Sequence, residues 1–374
     1  MRIVVLHSNA NYLVGLRLPL MRELTKLGHE VVAIAPNMSA EHLDTLRKCR
    51  IDGRRCDLDA TGFNPIVDLK NTWSLVALLK QLQPTVILTN TAKAVIYGTF
   101  AAKLAGVSRR YALVSGLGYA FTDDGKVRNW RKVFVRTTMS ALFSMALRLN
   151  RGVIFQNRDD LDELCSKLIC SRNQAHVVAG SGVDLDEFGY RRRDRAELNF
   201  ILVGRLLMEK GVKNYLEAAR LVKSELPQAN FLLVGDFDSN PSALTFDSIQ
   251  SYLQDGTVRH IRGVTDVRPW LYQAHIFVLP SYYREGVPRS TLEAMATGLA
   301  VITTDTPGCR ETVSEGVNGL LVNVRDTRSL ASAMIKLGSD FDLATSMGQA
   351  SRRLAEKRFD VNLVNHDMCR IMGV

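Results

Sequence analysis

Short runs that are apolar at every position recur along this chain, with helical stretches between them. In the first half the runs are 3–6, 31–35, 86–88, 111–114, 153–155 and 177–179, and amphipathic segments lie at 13–27, 67–82, 91–105 and 126–149. A second series starts near Asn199, with runs at 200–203, 231–234, 276–279, 301–304 and 320–322 and helical stretches at 211–225, 289–297 and 327–337. A strand that is apolar throughout, rather than at alternate positions, is covered on both faces, which is the condition of a parallel sheet. Alternation repeated this often leads to doubly wound sheets.

The fold class expected is therefore α/β, with two Rossmann-like doubly wound domains facing each other across a cleft. Between the two series lies Arg191-Arg192-Arg193-Asp194-Arg195, polar and without an apolar period. The expected division is a first domain over 1–181, a linker over 182–197, a second domain over 198–355, and a terminal helical segment over 356–374 that can cross back to the first domain. A break near Phe359-Asp360 interrupts the helical pattern of 340–372. Open parallel sheets bind ligands at the carboxyl ends of their strands. Two such sheets facing each other suit a reaction of two substrates.

Composition narrows the function. A length of 374 residues fits two domains, and 46% hydrophobic with 23% charged residues is ordinary for folded cores. No run of 18 or more residues is apolar and free of charge, and the longest candidate, Val133 to Leu147, carries Arg136. Residues 1–196 hold 29 Lys+Arg against 18 Asp+Glu, a net +11, while residues 197–374 hold 19 against 20. A basic half suits an acidic partner: nucleic acid, an anionic membrane face or a phosphorylated substrate. The six cysteines form no C-x-x-C pair and have no His at zinc spacing, so they read as reduced thiols. The N-terminus lacks the apolar core and cleavage site of a secretory signal. A cytoplasmic location is expected.

Two motifs carry chemistry. The first, Glu285-Gly286-Val287-Pro288-Arg289-Ser290-Thr291-Leu292-Glu293, follows the run 276–279. Gly286 and Pro288 mark a loop entering a helix, whose N-terminal N–H groups and dipole suit a phosphate. Glu285 and Glu293 flank that cradle and can accept hydrogen bonds from sugar hydroxyls. The second motif, Gly204-Arg205-Leu206-Leu207-Met208-Glu209-Lys210-Gly211, also follows a strand and precedes a helix. Arg205 and Lys210 suit a diphosphate whose charge grows as it leaves. Taken singly, the glutamate pair reads more readily as solvated charges around a loop-to-helix entry, and the Arg205–Lys210 pair reads equally well as surface cations near a helix start. Their conjunction, in one domain and both at strand ends, favours the functional reading.

Together these motifs closely resemble the donor domain of the GT-B glycosyltransferases, specifically the large retaining family 4. The stretches 231–236, 262–267, 274–281 and 181–188 agree with that pattern. The resemblance implies that Arg205 and Lys210 bind the diphosphate, that Glu285 holds hydroxyls of the transferred sugar and that Glu293 holds the ribose. It also implies that Gly204 and Asp236 belong to the donor site and that Val264 borders the base. Gly286 and Val287 would offer backbone N–H groups or shape, and Pro288, having no N–H, shape alone. The catalytic set implied is Arg205, Lys210 and Glu285, with no metal and no cofactor, the UDP-sugar being a substrate.

The first half resembles a narrower group, the bacterial α-N-acetylgalactosaminyltransferases that act on undecaprenyl-diphosphate-linked sugars. The stretches 10–12, 17–20, 91–93 and 114–119 carry this likeness. It implies acceptor contacts from Asn11, Tyr12, Arg17, Lys93, Ser115, Gly116 and Gly118. Many family members place a donor-contacting His in this region, and the 115–118 loop has none. The stretch 126–136 reads as a basic amphipathic helix, with Trp130 and Phe134 on one face and Arg128, Arg131 and Lys132 on the other. Such a helix suits an anionic membrane surface, although packing on the sheet with a solvated basic face is the plainer reading.

The expected function is retaining transfer of a sugar, GalNAc or GlcNAc, from a UDP-sugar to a polyprenyl-diphosphate-linked saccharide in the assembly of O-antigen, capsule or glycoprotein oligosaccharide. The enzyme would work from the inner face of the plasma membrane as a peripheral protein. A nucleotide-sugar epimerase of similar build is the nearest rival. A nucleic-acid-binding protein is the rival of another class, but helix-turn-helix, RRM and zinc-finger signatures are missing, so no nucleic acid is expected. A dehydrogenase is disfavoured, since neither half opens with G-x-G-x-x-G between strand and helix.

Overall fold

The computed structural model describes residues 1–58, 65–117, 130–194, 197–238, 240 and 242–374, with backbone alone for 65 and 130–136. The chain divides into two units, Met1–Ser181 together with Leu363–Val374, and Gly182–Asn362. Residues 182–194, read above as linker, thus cluster with the second unit, as do 356–362.

In the first unit the strands are β1 (Arg2–His7), β2 (Glu30–Ala35), β3 (Asp52–Arg55), β4 (Val86–Asn90), β5 (Arg109–Val114), β6 (Gly152–Phe155) and β7 (Ala175–Val177). Among the described residues they form one sheet in the order β3-β2-β1-β4-β5-β6-β7, with every pair parallel. Helices α1 (Ala10–Lys26), α2 (Ala40–Lys48), α3 (Pro65–Leu82), α4 (Ala92–Leu104), α5 (Trp130–Arg148) and α6 (Arg158–Ser166) connect them. The uniformly apolar runs do what the pattern demands. Alternate residues of β1 feed opposite cores, Val4 and Leu6 on the α3–α5 face and Ile3 and Val5 on the α1 face.

The second unit repeats the plan with β8 (Leu198–Val203), β9 (Ala229–Val234), β10 (Arg259–Ile261), β11 (Ile276–Leu279), β12 (Ala300–Thr304) and β13 (Gly319–Val322). Their order is β10-β9-β8-β11-β12-β13, again wholly parallel. The helices are α7 (Val212–Glu225), α8 (Phe246–Gln254), α9 (Arg268–Gln273), α10 (Arg289–Thr297), α11 (Thr327–Ser339) and α12 (Phe341–Leu354). In both sheets the order reverses after the third strand placed, so the switch points lie between β1 and β4 and between β8 and β11.

The terminal segment behaves as its break suggests. A π-turn over Ala355–Phe359 ends α12, and α13 (Val361–Met372) follows. Val364, Met368 and Met372 recur four apart, sharing one face, and join the α1-side core of the first sheet. Arg109 donates to the carbonyls of Met372 at 2.5 Å and Gly373 at 2.8 Å, which fixes the end of α13. At the boundary, Gly182 lies so close to Val361 that a Cβ there would stand 2.5 Å from the Val361 Cα, and its φ of +72° also favours glycine.

Two of the four edge strands, β3 and β10, escaped the sequence reading. β3 is Asp-Gly-Arg-Arg, with no apolar run, because an edge strand pairs on one side only. β10 is missed for the same reason. β7 lies at Ala175–Val177 instead of 177–179: Val178 is buried in the core just beyond the strand.

Candidate active site

The switch point of the second sheet gathers the two motifs. β8 ends at Val203, and the chain passes through Gly204 and Arg205 to a short turn over Met208–Lys210 before α7. β11 ends at Leu279, and Pro280 to Pro288 leads into α10. One backbone carbonyl ties these loops together: Glu209 O accepts from the N–H groups of Tyr282 at 2.8 Å and Tyr283 at 3.1 Å, and from Ser281 Oγ at 3.2 Å. Gly211 makes that approach possible. Its φ is +71°, and a Cβ there would stand 2.0 Å from Pro280 O.

Within this frame Lys210 Nζ meets Glu285 Oε1 at 2.5 Å, with side chains only 15% and 11% exposed. Ser281 Oγ also lies 3.1 Å from the same carboxylate oxygen, so its one proton is shared between that oxygen and the Glu209 carbonyl. A charge-assisted bond so shielded from water is stronger than a surface pair and costs desolvation in return. The loop is braced from β12. Thr304 Oγ1 bonds Ser281 O, and Gly308 lies where a Cβ would stand 2.1 Å from Gly286 O. Cys309 is fully buried nearby, its thiol pushed up to about 11 by burial and then by the charge of Glu285.

Pro288 is the N-cap of α10 and makes no side-chain cap hydrogen bond. The positive end of the helix dipole suits an anion. Gly286 and Val287 are buried beside it. Glu293, inside α10, is buried and pairs with Arg289 Nε at 2.7 Å across one turn. Burial holds its carboxyl above the usual range, and the Arg289 guanidinium opposes that shift.

The remaining donor candidates cluster at the ends of β8 and β9. Gly204 and Gly235 bring their backbones together, since a Cβ on Gly235 would stand 1.9 Å from Gly204 O. Asp236 carries its Oδ1 to the Gly263 N–H at 2.9 Å, which fixes the turn before Val264. Arg205 is 47% exposed and pairs with Asp238 Oδ2 at 3.0 Å. The paired Arg and Lys expected for a diphosphate are thus each held by a carboxylate here, Arg205 by Asp238 and Lys210 by Glu285.

The first sheet's switch point is furnished with neutral groups. Asn9 caps α1 by accepting from the Tyr12 N–H at 3.2 Å, and Asn11 and Tyr12 are exposed in its first turn. Ser8 Oγ and Thr91 Oγ1 lie 2.7 Å apart, joining the loops after β1 and β4. Thr91 has φ of +80°, a conformation that costs a threonine strain. Ser115 Oγ donates to Asn90 Oδ1 at 3.3 Å, and Gly116 follows with φ of +97°. Asn90 is fully buried, and its Nδ2 has no hydrogen-bond partner among the described residues. His7 Nδ1 accepts from the Asn9 N–H at 3.0 Å, which assigns the neutral ring's hydrogen to Nε2. Burial, then the Arg17 charge, lowers His7 to about 3.

Two expected acceptor contacts are placed differently from the reading. Lys93 is buried, and its Nζ lies 3.1 Å from Asp68 Oδ1, with Tyr97 OH donating to the other oxygen at 3.0 Å. Arg17 is also buried, 2% exposed. Lys93 serves the interior of the unit in this structure, because a buried charge must be matched where it sits, whereas the charge of Arg17 acts on His7 at the switch point. Gly118 and Arg128 lie outside the described residues, and so do the side chains of Trp130, Arg131, Lys132 and Phe134. Sequence reasoning missed Ser281, Asp238, Arg289 and Asp68, each defined by a partner distant in the chain or by a helical turn. Only Arg289, four residues before Glu293, left a sequence signal.

Among the described residues no group of three or more His, Cys, Asp or Glu is placed to hold a metal ion. No described helix is long and apolar enough to cross a membrane.

Comparison with known proteins agrees with this geometry. The family described as glycosyl transferase 4-like domain matches residues 18–179, and that described as glycosyl transferases group 1 matches residues 197–340. The N,N'-diacetylbacillosaminyl-diphospho-undecaprenol alpha-1,3-N-acetylgalactosaminyltransferase of Campylobacter jejuni is 30% identical over 97% of this chain and 96% of its own. The UDP-Gal:alpha-D-GlcNAc-diphosphoundecaprenol alpha-1,3-galactosyltransferase of Escherichia coli is 28% identical over 74% of this chain and 72% of its own. Among solved structures, sucrose-phosphate synthase from Thermosynechococcus elongatus superposes with a TM-score of 0.79 at 18% identity, covering 99% of this chain and 98% of that one. HepE of Anabaena, in complex with UDP, gives 0.77 at 17% identity with both chains fully covered. The epimerase and nucleic-acid readings find no support in these matches. Two parallel sheets of one topology, a motif pair joined at the second switch point and a relative alike over nearly its whole length lead to one conclusion: this chain belongs to the GT-B glycosyltransferases of family 4 and is a glycosyltransferase.

Proposed function

We propose that the enzyme moves GalNAc or GlcNAc from a UDP-sugar to a polyprenyl-diphosphate-linked saccharide, with retention of anomeric configuration, during assembly of a cell-surface glycan. The observation that carries this reading is the Lys210–Glu285 pair at the switch point of the second sheet, in a chain 30% identical to a transferase named for such an acceptor. In this reading the donor diphosphate enters between Arg205, Lys210 and the uncapped start of α10. Lys210 exchanges part of its contact with Glu285 for phosphate oxygens. Glu285, still held by Ser281, turns its carboxylate to hydroxyls of the transferred sugar. Glu293 takes the ribose hydroxyls, and the Asp236–Gly263 turn carries Val264 to the edge of the base.

As the glycosidic bond opens, negative charge grows on the diphosphate. Arg205, Lys210 and the α10 dipole lie where they can neutralise it, and we assign them that work in place of a metal ion. Fixed charges act without reorganising at the moment of reaction, so they stabilise the departing group more than the bound donor. Asn11, Tyr12, Ser115 and Gly116 stand at the carboxyl ends of the first sheet and are the acceptor side of the proposal. The basic stretch 126–136 is assigned to the anionic inner face of the plasma membrane.

A thermal-shift panel of nucleotide sugars, followed by mass spectrometry of products on lipid-diphosphate glycans, tests the proposal. Stabilisation by UDP-sugars and a product heavier by one N-acetylhexosamine are expected. Absence of both, with folded protein, refutes it.

A further inference from the structure

The start of α3 exposes apolar side chains where its other face already supplies the core. Leu75, Val76 and Leu79 pack inward, and so do Asp68 and Thr72. On the opposite side Ile66 is 82% exposed, Leu69 60% and Trp73 57%. Positions 66, 69 and 73 follow the three-and-four spacing of one helical face. Lys70 and Lys80 are exposed along the same face. The only acid of α3, Asp68, is turned inward and neutralised by Lys93. The exposed face is therefore apolar at its start, positively charged along its length and free of negative charge.

Its position matters as much as its chemistry. α3 links parallel strands β3 and β4, so it runs against them and starts at their carboxyl end. That is the end where Tyr12, Ser115 and Gly116 lie. The unit carrying it, residues 1–181 and 363–374, holds 26 Lys+Arg against 15 Asp+Glu, a net +11.

We propose that Ile66, Leu69 and Trp73 insert into the headgroup boundary of an anionic lipid bilayer, with Lys70 and Lys80 lying over the phosphates. An interfacial helix needs an apolar face, a flanking aromatic ring and cations, and α3 offers all three. A second copy of the chain is the poorer occupant. Three side chains fall well short of the roughly 1,200–2,000 Å² that a stable protein interface buries, and a two-fold pairing would bring like charges together. The inference rests on the proposed lipid-linked acceptor, and it adds that this acceptor is met with its bilayer still around it.

Flotation of the full-length protein with vesicles of phosphatidylglycerol and phosphatidylethanolamine tests this, with phosphatidylcholine vesicles as the neutral arm. The Ile66→Ser, Leu69→Ser, Trp73→Ser triple variant should lose more than about tenfold in partition to the anionic vesicles. It should still turn over a short-chain, water-soluble acceptor at the unaltered rate, because these side chains touch no part of the site. Lys70→Glu with Lys80→Glu should weaken the preference for anionic over neutral vesicles, the rest of the basic unit keeping part of it. With Trp130→Phe and Trp270→Phe in place, Trp73 emission should shift to the blue on vesicle addition. Wild-type partition by the triple variant, no vesicle binding by the wild type, or a dimer that the triple variant dissociates overturns the proposal. A wild type that binds vesicles yet transfers no sugar to the soluble acceptor overturns the functional reading and leaves the surface intact.

Discussion

The two switch points are built on one strand order and are furnished in opposite ways. Between β1 and β4 stand Ser8, Asn90, Thr91 and Ser115 beside a neutral His7, with the nearby cation Lys93 committed to Asp68 and the buried Arg17 as a further charge, acting on His7. Between β8 and β11 stand Lys210 and Glu285, shielded from water and bonded to each other, with Arg205 and Glu293 in the neighbouring loops and helix. The strand order explains why both places are crevices, and the loop residues explain what each can do there. The neutral crevice suits hydroxyls of a saccharide. The charged one suits a diphosphate that must leave.

Breaking the charged crevice should have the largest effect. Glu285→Ala should abolish transfer while the circular dichroism stays that of a folded protein, with a lower melting point because Lys210 loses its shielded partner. Residual turnover near the wild-type rate would remove Glu285 from the site. Lys210→Ala should lose roughly 2–4 kcal/mol of transition-state stabilisation, the cost of deleting one oxyanion donor, read as a fall in kcat/KM. The same kind of substitution in the neutral crevice should act on stability instead. Lys93→Ala leaves Asp68 buried with Tyr97 alone and should cost about 3–5 kcal/mol in denaturant unfolding, with donor KM unaltered. A large change in donor KM would mean the two crevices are not divided in this way.

Acid should separate them further. His7 is held at about 3 in the folded chain against 6.5 when unfolded, so its contribution to stability is full above 6.5 and is lost as pH falls toward 3. The slope is at most roughly 1.4 kcal/mol per pH unit. Glu293 has the opposite sign. Its raised pKa makes its contribution greatest below the unfolded value, and that contribution is lost as pH rises through the folded value. Unfolding curves from pH 7 down to pH 4 for His7→Gln and Glu293→Gln should therefore flatten the profile in opposite directions. The smallest effect is expected from Arg205→Ala on stability, under about 1 kcal/mol, since the Asp238 pair is half exposed. Its effect should appear in donor KM and kcat.

Most of the fold was legible because parallel strands buried on both faces leave runs such as Phe200–Val203 that few other structures tolerate. The edge strands β3 and β10 were not legible, because a strand with one neighbour needs no such run. The candidate site was legible as motifs, since each lies in one short stretch after a strand. Its closure was not. The Glu209 carbonyl that gathers Ser281, Tyr282 and Tyr283 leaves no mark in residue types. Lys93 shows the reverse error. A lysine just past a strand end reads as a ligand contact, and the structure turns it inward to Asp68, 25 residues earlier in the chain.

The order of residues alone thus determined two doubly wound sheets and which loops carry charge, because hydrophobic periodicity and turn chemistry are local. Only the tertiary structure decided which charges meet. Lys210 finds Glu285 across 75 residues, and Arg205 finds Asp238 across 33, because parallel strands deliver distant loops to one edge. The free energy of a buried charge depends on what lies within a few ångströms of it, and sequence spacing does not encode that distance.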